Sequence, residues 1–189
     1  MKNLLIIGVP RSGKTTLANL MCERYGFSLV SIDALVATFG GLFPELGLHL
    51  EPEKSEPLVA KFVFEYISRL NQEFPDRHFV IEGCHISPQT SVTCTECDVV
   101  CLGYPELSAE GFLDRVRQTD WAASKPDDEI LQMGECFTGQ SKQHCLYCQK
   151  NGIHFIDTQN CGLTAIRKVP STGSTKSGSK RRKKRIYCV

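Results

Sequence analysis

The sequence lacks any long apolar run. Its uninterrupted apolar stretches are only a few residues long, whereas a membrane-spanning helix needs about 20. The stretch Leu4–Ile7 is too short for the apolar part of a signal peptide, and Pro10, Arg11 and Lys14 follow it at once. No internal repeat is evident either. These absences argue against a membrane-spanning or repeat architecture, and we expect a cytoplasmic protein.

Length and composition indicate one main domain. The chain has 189 residues, of which 41% are apolar, and this is enough for the core of a single domain. Ten cysteines are many for this length, but in the reducing cytoplasm we expect free thiols rather than disulfides. We interpret most of them as small, buried apolar side chains.

The formal net charge of +1 conceals an uneven distribution. Residues 170–189 hold seven of the 22 basic residues and none of the 21 acidic ones, so the rest of the chain carries −6. We therefore divide the chain into a folded domain, residues 1–169, and a basic tail, residues 170–189, whose composition predicts disorder. The KRRKKR run of the tail is typical of a nuclear import signal, a nucleic-acid anchor or a contact to acidic membranes. A solvated tail without function is the alternative.

Short apolar segments alternate with segments of helical periodicity five times. The predicted strands are 3–7, 27–32, 78–81, 99–102 and 153–156, and the predicted helices include 15–25, 58–70, 109–118 and 163–169. The region from Gly40 to Pro57 is predicted to be a loop or broken helix. The helix after Pro126 is expected to be interrupted around 134–139. The alternation predicts an α/β fold, with a five-stranded parallel sheet covered by helices on both faces. In such sheets, ligands bind at the carboxyl ends of the strands.

The stretch GVPRSGKT, residues 8–15, matches the pattern G-x-x-x-x-G-K-[ST] of a phosphate-binding loop. It follows the first predicted strand and opens the first predicted helix, which is the context that such a loop requires. Its backbone N–H groups point at phosphate oxygens, its glycines allow the tight turn, and the helix adds the positive end of its dipole. Lys14 is predicted to reach the β- and γ-phosphates, and the Thr15 hydroxyl to ligate Mg²⁺. The predicted nucleotide-binding residues are Gly8, Val9, Pro10, Arg11, Ser12, Gly13, Lys14, Thr15 and Thr16.

Two classes of nucleotide-binding protein fit the sequence poorly. A Ras-like GTPase reads guanine through an N-K-x-D motif, which this sequence lacks. A motor ATPase usually needs a longer chain and an apolar strand that ends in a Walker B acid. Glu82 does follow the third predicted strand, but one acid in that position does not separate the classes.

The layout of residues 1–169 resembles the P-loop small-molecule kinases, the group of nucleoside, nucleotide, shikimate and gluconate kinases. The matching pieces are GVPRSGKTT after the first strand, SID after the second, IEGCH after the third, DVVCLGYP as the fourth and FIDT as the fifth. Glu82-Gly83 with His85 and Pro88 also resembles the E-G-x-H-x-x-P stretch of 2-phosphoglycerate kinase-like proteins. The resemblance implies a three-layer α/β/α P-loop NTPase fold. It also implies ATP- and Mg²⁺-dependent phosphoryl transfer to a nucleoside, nucleotide, sugar or hydroxy acid.

The resemblance implies roles for side chains beyond the loop. Asp33 stands where this group places the carboxylate that orients the acceptor hydroxyl and takes its proton, and a helix N-cap is the alternative. Glu82 is expected to hold a Mg²⁺-bound water or the acceptor, with a surface acid as the alternative. His85 is equally compatible with a substrate contact and with a loop histidine. The region 40–57 and the helix beyond it are expected to form the acceptor pocket.

A lid whose arginines neutralise the transferring phosphate is expected after the fourth strand. Arg115, Arg117 and the segment through Asp120, Trp121 and Lys125 occupy that place. The two arginines are two positions apart on a predicted helix, so at most one of them faces the phosphates, and we assign that role to Arg115. The resemblance places adenine between this region and the loop 157–162.

Two C-x-x-C units, Cys94–Cys97 and Cys145–Cys148, precede the fourth and fifth predicted strands. If those strands are parallel neighbours, both units lie at the amino-terminal edge of the sheet. Four thiolates there would form a structural zinc site, with His144 as a competing ligand. We interpret these cysteines mainly as buried thiols, so the zinc site is an alternative, as is a redox pair.

Two further functions fit parts of the sequence. One is a nucleotide-dependent switch or binding module whose basic tail engages nucleic acid or a protein partner. The other is a polynucleotide 5′-hydroxyl kinase, which needs a basic cleft, and the acidic body of the chain argues against it.

Overall fold

The structure is a computed structural model that describes residues 2–48 and 52–159. Five strands alternate with helices along the chain, as the sequence predicts. The elements are β1 Asn3–Gly8, α1 Lys14–Tyr25, β2 Ser28–Ser31, α2 Ile32–Leu42, a short 3-10 helix Pro44–Leu46, α3 Pro52–Glu73, β3 Phe79–Glu82, α4 Pro88–Ser91, β4 Cys97–Gly103, α5 Ala109–Arg117, α6 Asp127–Asn151 and β5 His154–Asp157.

The five strands form one parallel sheet in the order β2-β3-β1-β4-β5. Strand β1 lies at the centre, with Ile6 opposite Glu82 of β3 and Gly8 opposite Leu102 of β4. This register brings the carboxyl ends of β1, β3 and β4 to the same edge of the sheet. The turns that follow these strands therefore lie close together.

Helices cover both faces of the sheet. Leu5 and Ile7 of β1 belong to a buried cluster that includes Val63 and other residues of α2 and α3. Ile6, which points the opposite way, packs in a second cluster with Leu17 of α1. Because successive side chains of a strand point to opposite faces, a strand buried on both sides reads as an unbroken apolar run. The expected three-layer α/β/α architecture is confirmed.

Helix α2 was not predicted as an element, and helix α3 begins earlier than the predicted helix 58–70. Helix α2 continues through Gly40 and Gly41, and α3 begins at Pro52 and runs through Pro57, in a region that was expected to be a loop or broken helix. A proline in a helix interior costs about 3 kcal/mol. Helix α3 offsets this cost by burying a row of apolar side chains, among which each Val, Ile or Leu is worth roughly 1.5–3 kcal/mol. These residues are Val59, Ala60, Val63, Ile67 and Leu70.

Helix α6 is continuous, so the predicted interruption around residues 134–139 is wrong. Gly134 does not mark a turn but lies where α6 packs against α5. A Cβ atom at Gly134 would lie 3.1 Å from Phe112 of α5. The absence of a side chain there allows α5 and α6 to approach closely at little cost to the helix.

Two expectations concern residues outside the described ones. The closing helix at 163–169 and the basic tail at 170–189 both lie beyond residue 159. Within the described ranges, no helix combines the length and apolar character needed to cross a bilayer.

Candidate functional site

The predicted phosphate loop connects β1 to α1, and two of its glycines have the positive φ angles that favour glycine. Gly8 has a φ of +132°, and a Cβ atom there would lie 1.9 Å from the carbonyl oxygen of Leu102 in β4. Gly13 has a φ of +89° and precedes the first residue of α1. Side chains are disfavoured at both positions, because a left-handed or crowded backbone excludes a Cβ atom. The loop therefore lies tightly against β4 and leads directly into the amino terminus of α1.

Lys14 is buried in this loop, with only 6% of its surface exposed. Its Nζ donates a hydrogen bond to the Val9 carbonyl oxygen at 2.9 Å, so the ammonium lies across the loop. The Ser12 hydroxyl oxygen is also buried and has no hydrogen-bond partner among the described residues. Buried polar groups are normally paired, since an unpaired one loses its hydration without compensation. A loop with a buried cation and an unpaired hydroxyl at a helix amino terminus is suited to receive an anion.

Thr15 and Glu82 meet beside the loop. The Thr15 hydroxyl donates to Oε2 of Glu82 at 3.3 Å, and Glu82, at the end of β3, is only 3% exposed. Burial raises the pKa of Glu82, the nearby Asp33 carboxylate adds to this effect, and Lys14 opposes it. A hydroxyl beside a carboxylate is a pair of hard oxygen donors of the kind that Mg²⁺ prefers. Glu82 is thus a buried partner of the loop and not a surface acid.

Asp33 faces the carboxyl end of β3 from the first turn of α2. Its Oδ1 lies 3.0 Å from Nδ1 of His85 and accepts a hydrogen bond from the Cys84 N–H at 3.1 Å. The helix is capped instead by Ser31, whose hydroxyl accepts from the Ala34 N–H, so Asp33 is not the N-cap. The Asp33 side chain is 46% exposed, which leaves part of the carboxylate open to solvent.

Asp33 and His85 form an ion pair. Burial acts to raise the pKa of Asp33, but hydrogen bonds from His85 and the Cys84 N–H, together with the charge of Lys14, lower it overall. Burial acts to lower the pKa of His85, yet its hydrogen bonds to Asp33 and Cys84 raise it to about 9. At neutral pH, His85 is therefore protonated and Asp33 ionised. His85 holds the carboxylate at the sheet edge beside Lys14.

Arg115 of α5 connects three parts of the site. Its guanidinium donates to the carbonyl oxygen of Arg11 at 3.4 Å and to that of Thr158, just after β5, at 3.1 Å. It also lies over the ring of Tyr104, 5.0 Å from the ring centre, and the Tyr104 hydroxyl donates to the Pro10 carbonyl at 2.6 Å. The end of β4, helix α5 and the segment after β5 therefore all support the phosphate loop.

Arg117 points elsewhere, as the spacing of the two arginines predicts. Its Nε donates to Oδ1 of Asp127 at 3.0 Å and its Nη2 to the Lys125 carbonyl at 2.7 Å, so it stabilises the turn between α5 and α6. Lys125 itself pairs with Glu129 at 2.7 Å. Of the expected lid cations, Arg115 is the one that the structure places at the loop.

Arg11 connects the phosphate loop to the expected lid, a contact that the sequence analysis missed. Its Nη2 donates to the Thr119 hydroxyl at 3.0 Å, and its guanidinium lies 5.7 Å from the ring centre of Trp121. Trp121 in turn packs edge-on against Phe112 of α5. Arg11 has a φ of 60°, which is unusual for a residue with a side chain. The only signal in the sequence was a tryptophan among polar residues after α5.

The structure does not bring the two C-x-x-C units together as four zinc ligands. The thiols of Cys94 and Cys97 form a hydrogen bond with each other at the start of β4. The thiol of Cys148 in α6 instead forms a hydrogen bond with that of Cys101 in β4. Among the described residues, the group with metal-ligand spacing is instead Asp33, Cys84 and His85. The four sulfur atoms do not converge, because Cys145–Cys148 lies in a helix in which only Cys148 faces the core.

The cysteines are also less buried than expected. The eight within the described ranges are all free thiols. Three of them, Cys97, Cys101 and Cys148, are buried, while the other five are partly or fully exposed. The interpretation of most cysteines as buried apolar side chains is therefore wrong for this part of the chain.

Helices α2 and α3 enclose an apolar cavity of about 130 Å³ in the region expected to form the acceptor pocket. Ile32, the residue before Asp33, lines one side of it. Several of the large apolar side chains that line the cavity are exposed, among them Phe62 of α3. The remaining lining residues are Leu35, Val36, Phe39, Leu46, Leu48, Leu58, Val59 and Val63.

Comparison with known proteins identifies the fold. No protein-family model and no curated protein sequence matches the chain. A gluconokinase from Sinorhizobium meliloti 1021 is similar in structure, with a TM-score of 0.56 and 14% identity over 88% of this chain and 87% of that one. A protein from Chloroflexus aurantiacus j-10-fl that carries a kinase name has a TM-score of 0.51 and 13% identity, over 88% of this chain and 92% of that one. A sugar kinase from Janibacter sp. HTCC2649 aligns with a TM-score of 0.46 and 15% identity, over 76% and 97% of the respective chains.

At these identities the similarity establishes a shared fold. It is the three-layer α/β/α arrangement around a parallel sheet.

Proposed function

We propose that this protein is an ATP- and Mg²⁺-dependent phosphotransferase that acts on a small-molecule acceptor. The observation that carries the proposal is the convergence of Lys14, the Thr15–Glu82 pair and Asp33 at one edge of the sheet. Phosphoryl transfer depends on positioning and on charge neutralisation more than on covalent chemistry. These side chains supply a cation, a pair of hard oxygen donors and a carboxylate in adjacent positions. Two structures with kinase names share the fold.

The loop residues 8–16 and Lys14 bind the β- and γ-phosphates of ATP. The Lys14 ammonium leaves the Val9 carbonyl and turns to the phosphate oxygens, which satisfy a buried charge better than one neutral carbonyl does. Thr15 and Glu82 would hold Mg²⁺, which would supply positive charge against the terminal phosphates. Arg115 supports the loop at Arg11 and adds a positive charge beside it.

Asp33 orients the acceptor hydroxyl and accepts its proton. Asp33 is assigned this role rather than Glu82 because its side chain is 46% exposed, whereas Glu82 is buried against Thr15. Asp33 is ionised at neutral pH, so it is able to accept a hydrogen bond from a hydroxyl group. His85 acts as a positioning residue, since it fixes the carboxylate through Nδ1.

The experiment is an acceptor screen with labelled ATP and Mg²⁺. Sugars, nucleosides, nucleotides and hydroxy acids are tested as acceptors, and the Lys14→Ala protein serves as the blank. We expect at least one class to be phosphorylated well above the blank. ATP hydrolysis that no acceptor accelerates, combined with binding of nucleic acid or protein through residues 170–189, would instead favour a nucleotide-dependent switch. The proposed location is the cytoplasm, with the nucleus as the alternative if the tail acts as an import signal.

A further inference from the structure

Three side chains of different chemistry converge at the end of β3 and the start of α2. Oδ1 of Asp33 lies 3.0 Å from Nδ1 of His85 and 3.6 Å from Sγ of Cys84. The third distance, between the Cys84 Sγ and the His85 Nδ1, is 3.8 Å. Within the described ranges this is the group of histidine, cysteine and acidic residues whose ligand atoms all lie within 4.8 Å of one another. We propose that Asp33, Cys84 and His85 bind a thiolate-preferring divalent metal ion such as Zn²⁺.

The three distances fit a tetrahedral ion. Zinc lies about 2.3 Å from a thiolate sulfur and roughly 2.0–2.2 Å from imidazole nitrogen or carboxylate oxygen. Tetrahedral angles then separate neighbouring ligand atoms by about 3.3–3.6 Å. The observed separations of 3.0, 3.6 and 3.8 Å lie within a few tenths of an ångström of this range. Small side-chain rotations are therefore enough to admit the ion.

The backbone builds this cluster from two elements that meet at a glycine. A Cβ atom at Gly83 would lie 2.6 Å from the Cβ of Ile32 and 2.8 Å from Oδ1 of Asp33. The missing side chain at Gly83 allows the chain after β3 to pass directly beside the start of α2. The Cys84 N–H then donates to the Asp33 carboxylate, which fixes the carboxylate before any ion arrives. A site whose ligands are held in place loses little conformational entropy on binding.

Ligand chemistry separates this cluster from the predicted Mg²⁺ position. Thr15 and Glu82 offer oxygen alone, which suits Mg²⁺, whereas a sulfur and a nitrogen favour zinc and similar transition metals. On binding, the Cys84 thiol and the Nδ1 of His85 each release a proton to solvent, and the metal takes their place. Asp33 is partly exposed, so the fourth position of the ion opens to solvent.

One consequence rests on the proposed function. An ion bound to Asp33 occupies the carboxylate that orients the acceptor. Zinc at one equivalent is then expected to inhibit phosphoryl transfer competitively with the acceptor but not with ATP. Metal binding itself requires neither nucleotide nor acceptor, so it is measured independently of any kinase activity.

The test is a titration of the full-length protein with Co²⁺, which gives visible absorption bands and a thiolate charge-transfer band when it replaces zinc. The protein is kept reduced with a phosphine, because a thiol reductant would compete with Cys84 for the metal ion. We expect one equivalent of Co²⁺ to bind, with a charge-transfer band of the intensity that one thiolate ligand gives. Zn²⁺ should then displace the Co²⁺. Cys84→Ser should weaken binding at least tenfold, whereas the half-exposed Cys22→Ser and the double variant Cys94→Ser/Cys97→Ser should not. Binding that survives Cys84→Ser, or that is lost with the Cys94/Cys97 pair, overturns the proposal.

A second measurement uses the unmodified protein and so does not depend on how a variant folds. Iodoacetamide labels accessible thiols, and mass spectrometry of the digested protein quantifies each one. One equivalent of Zn²⁺ should slow alkylation of Cys84 at least tenfold and leave the exposed Cys136 unchanged. Equal labelling of Cys84 with and without zinc contradicts the assignment.

Discussion

The two sides of the proposed site, a nucleotide side and an acceptor side, are assembled differently. The nucleotide side is a run of nine consecutive residues, 8–16, supported from outside by Tyr104 and Arg115. The acceptor side joins Asp33 to Cys84 and His85, which follow it by 51 and 52 positions. A local change should therefore damage the first side directly. The second side depends on the register that places β3 between β2 and β1.

The two sides also differ in the surroundings of their charged groups. Lys14 and Glu82 are almost completely buried, with 6% and 3% exposure, whereas Asp33 is partly open. Beyond Asp33, helices α2 and α3 enclose an apolar cavity and carry exposed apolar side chains. The proposed phosphate site is therefore closed, whereas the region proposed for the acceptor is more open and more apolar.

The strongest test of the nucleotide side is Lys14→Ala. Removal of this cation from the loop should lower phosphoryl transfer at least 1000-fold, which corresponds to about 4 kcal/mol of transition-state stabilisation. Initial rates with labelled ATP measure the loss, and calorimetry with Mg²⁺·ATP should show weak or absent binding. Lys61→Ala on the exposed face of α3 is the control and should leave both measurements unchanged. Full activity of the Lys14 variant would show that the loop does not serve catalysis.

Gly8→Ala tests the backbone of the same side. The new Cβ atom would lie 1.9 Å from the Leu102 carbonyl oxygen, at a φ of +132°, so β1 and β4 must move apart. We expect the free energy of unfolding in urea to fall by about 3 kcal/mol. The control is Gly41→Ala in helix α2, where a Cβ atom meets nothing within 4 Å. It should be neutral or stabilise by roughly 0.5–1 kcal/mol, and an equal loss for both variants would refute the steric argument.

Asp33→Asn tests whether the two sides act separately. An amide still fills the position but does not accept a proton, so kcat should fall about 100-fold or more. Calorimetric affinity for Mg²⁺·ATP should change by less than threefold, because the loop keeps its contacts. Asp76→Asn, at an exposed turn, is the matched control. A parallel loss of ATP affinity would place Asp33 on the nucleotide side instead.

The smallest predicted effect concerns the ion pair between His85 and Asp33. The pKa of His85 is raised to about 9 in the folded protein, against about 6.5 unfolded, so the pair stabilises the fold fully below pH 6.5. Its contribution is lost as the pH rises through 9. The lowered pKa of Asp33 keeps the carboxylate ionised across this range, so His85 alone sets the change.

We expect the unmodified protein to lose about 1–2 kcal/mol relative to His85→Gln between pH 6.5 and pH 10, because the half-exposed partner weakens the pair. Urea unfolding of both proteins at pH 6.5, 8 and 10 measures the difference. A constant difference across the three pH values would mean that folding does not raise the pKa of His85.

Much of the fold was predictable because its signals are local. The five apolar segments, the glycines of the loop and the lysine that opens α1 are each visible within a few residues. The errors arose where packing outweighs local propensity. Pro57 and Gly134 suggested breaks, but the buried row of α3 and the contact between Gly134 and Phe112 keep both helices continuous. The same limit applies to the two C-x-x-C units, because the spacing of cysteines does not say which of them a helix turns inward.

The sequence by itself determined the alternation of strands and helices and the phosphate loop, because periodicity and turn chemistry act over a few residues. Only the tertiary structure decided which distant groups meet. The order of the strands brings Glu82 to Thr15, and the missing side chain of Gly83 allows Cys84 and His85 to reach Asp33. Contacts between residues about 50 positions apart depend on the register of the sheet and on helix packing, which no short stretch of sequence specifies.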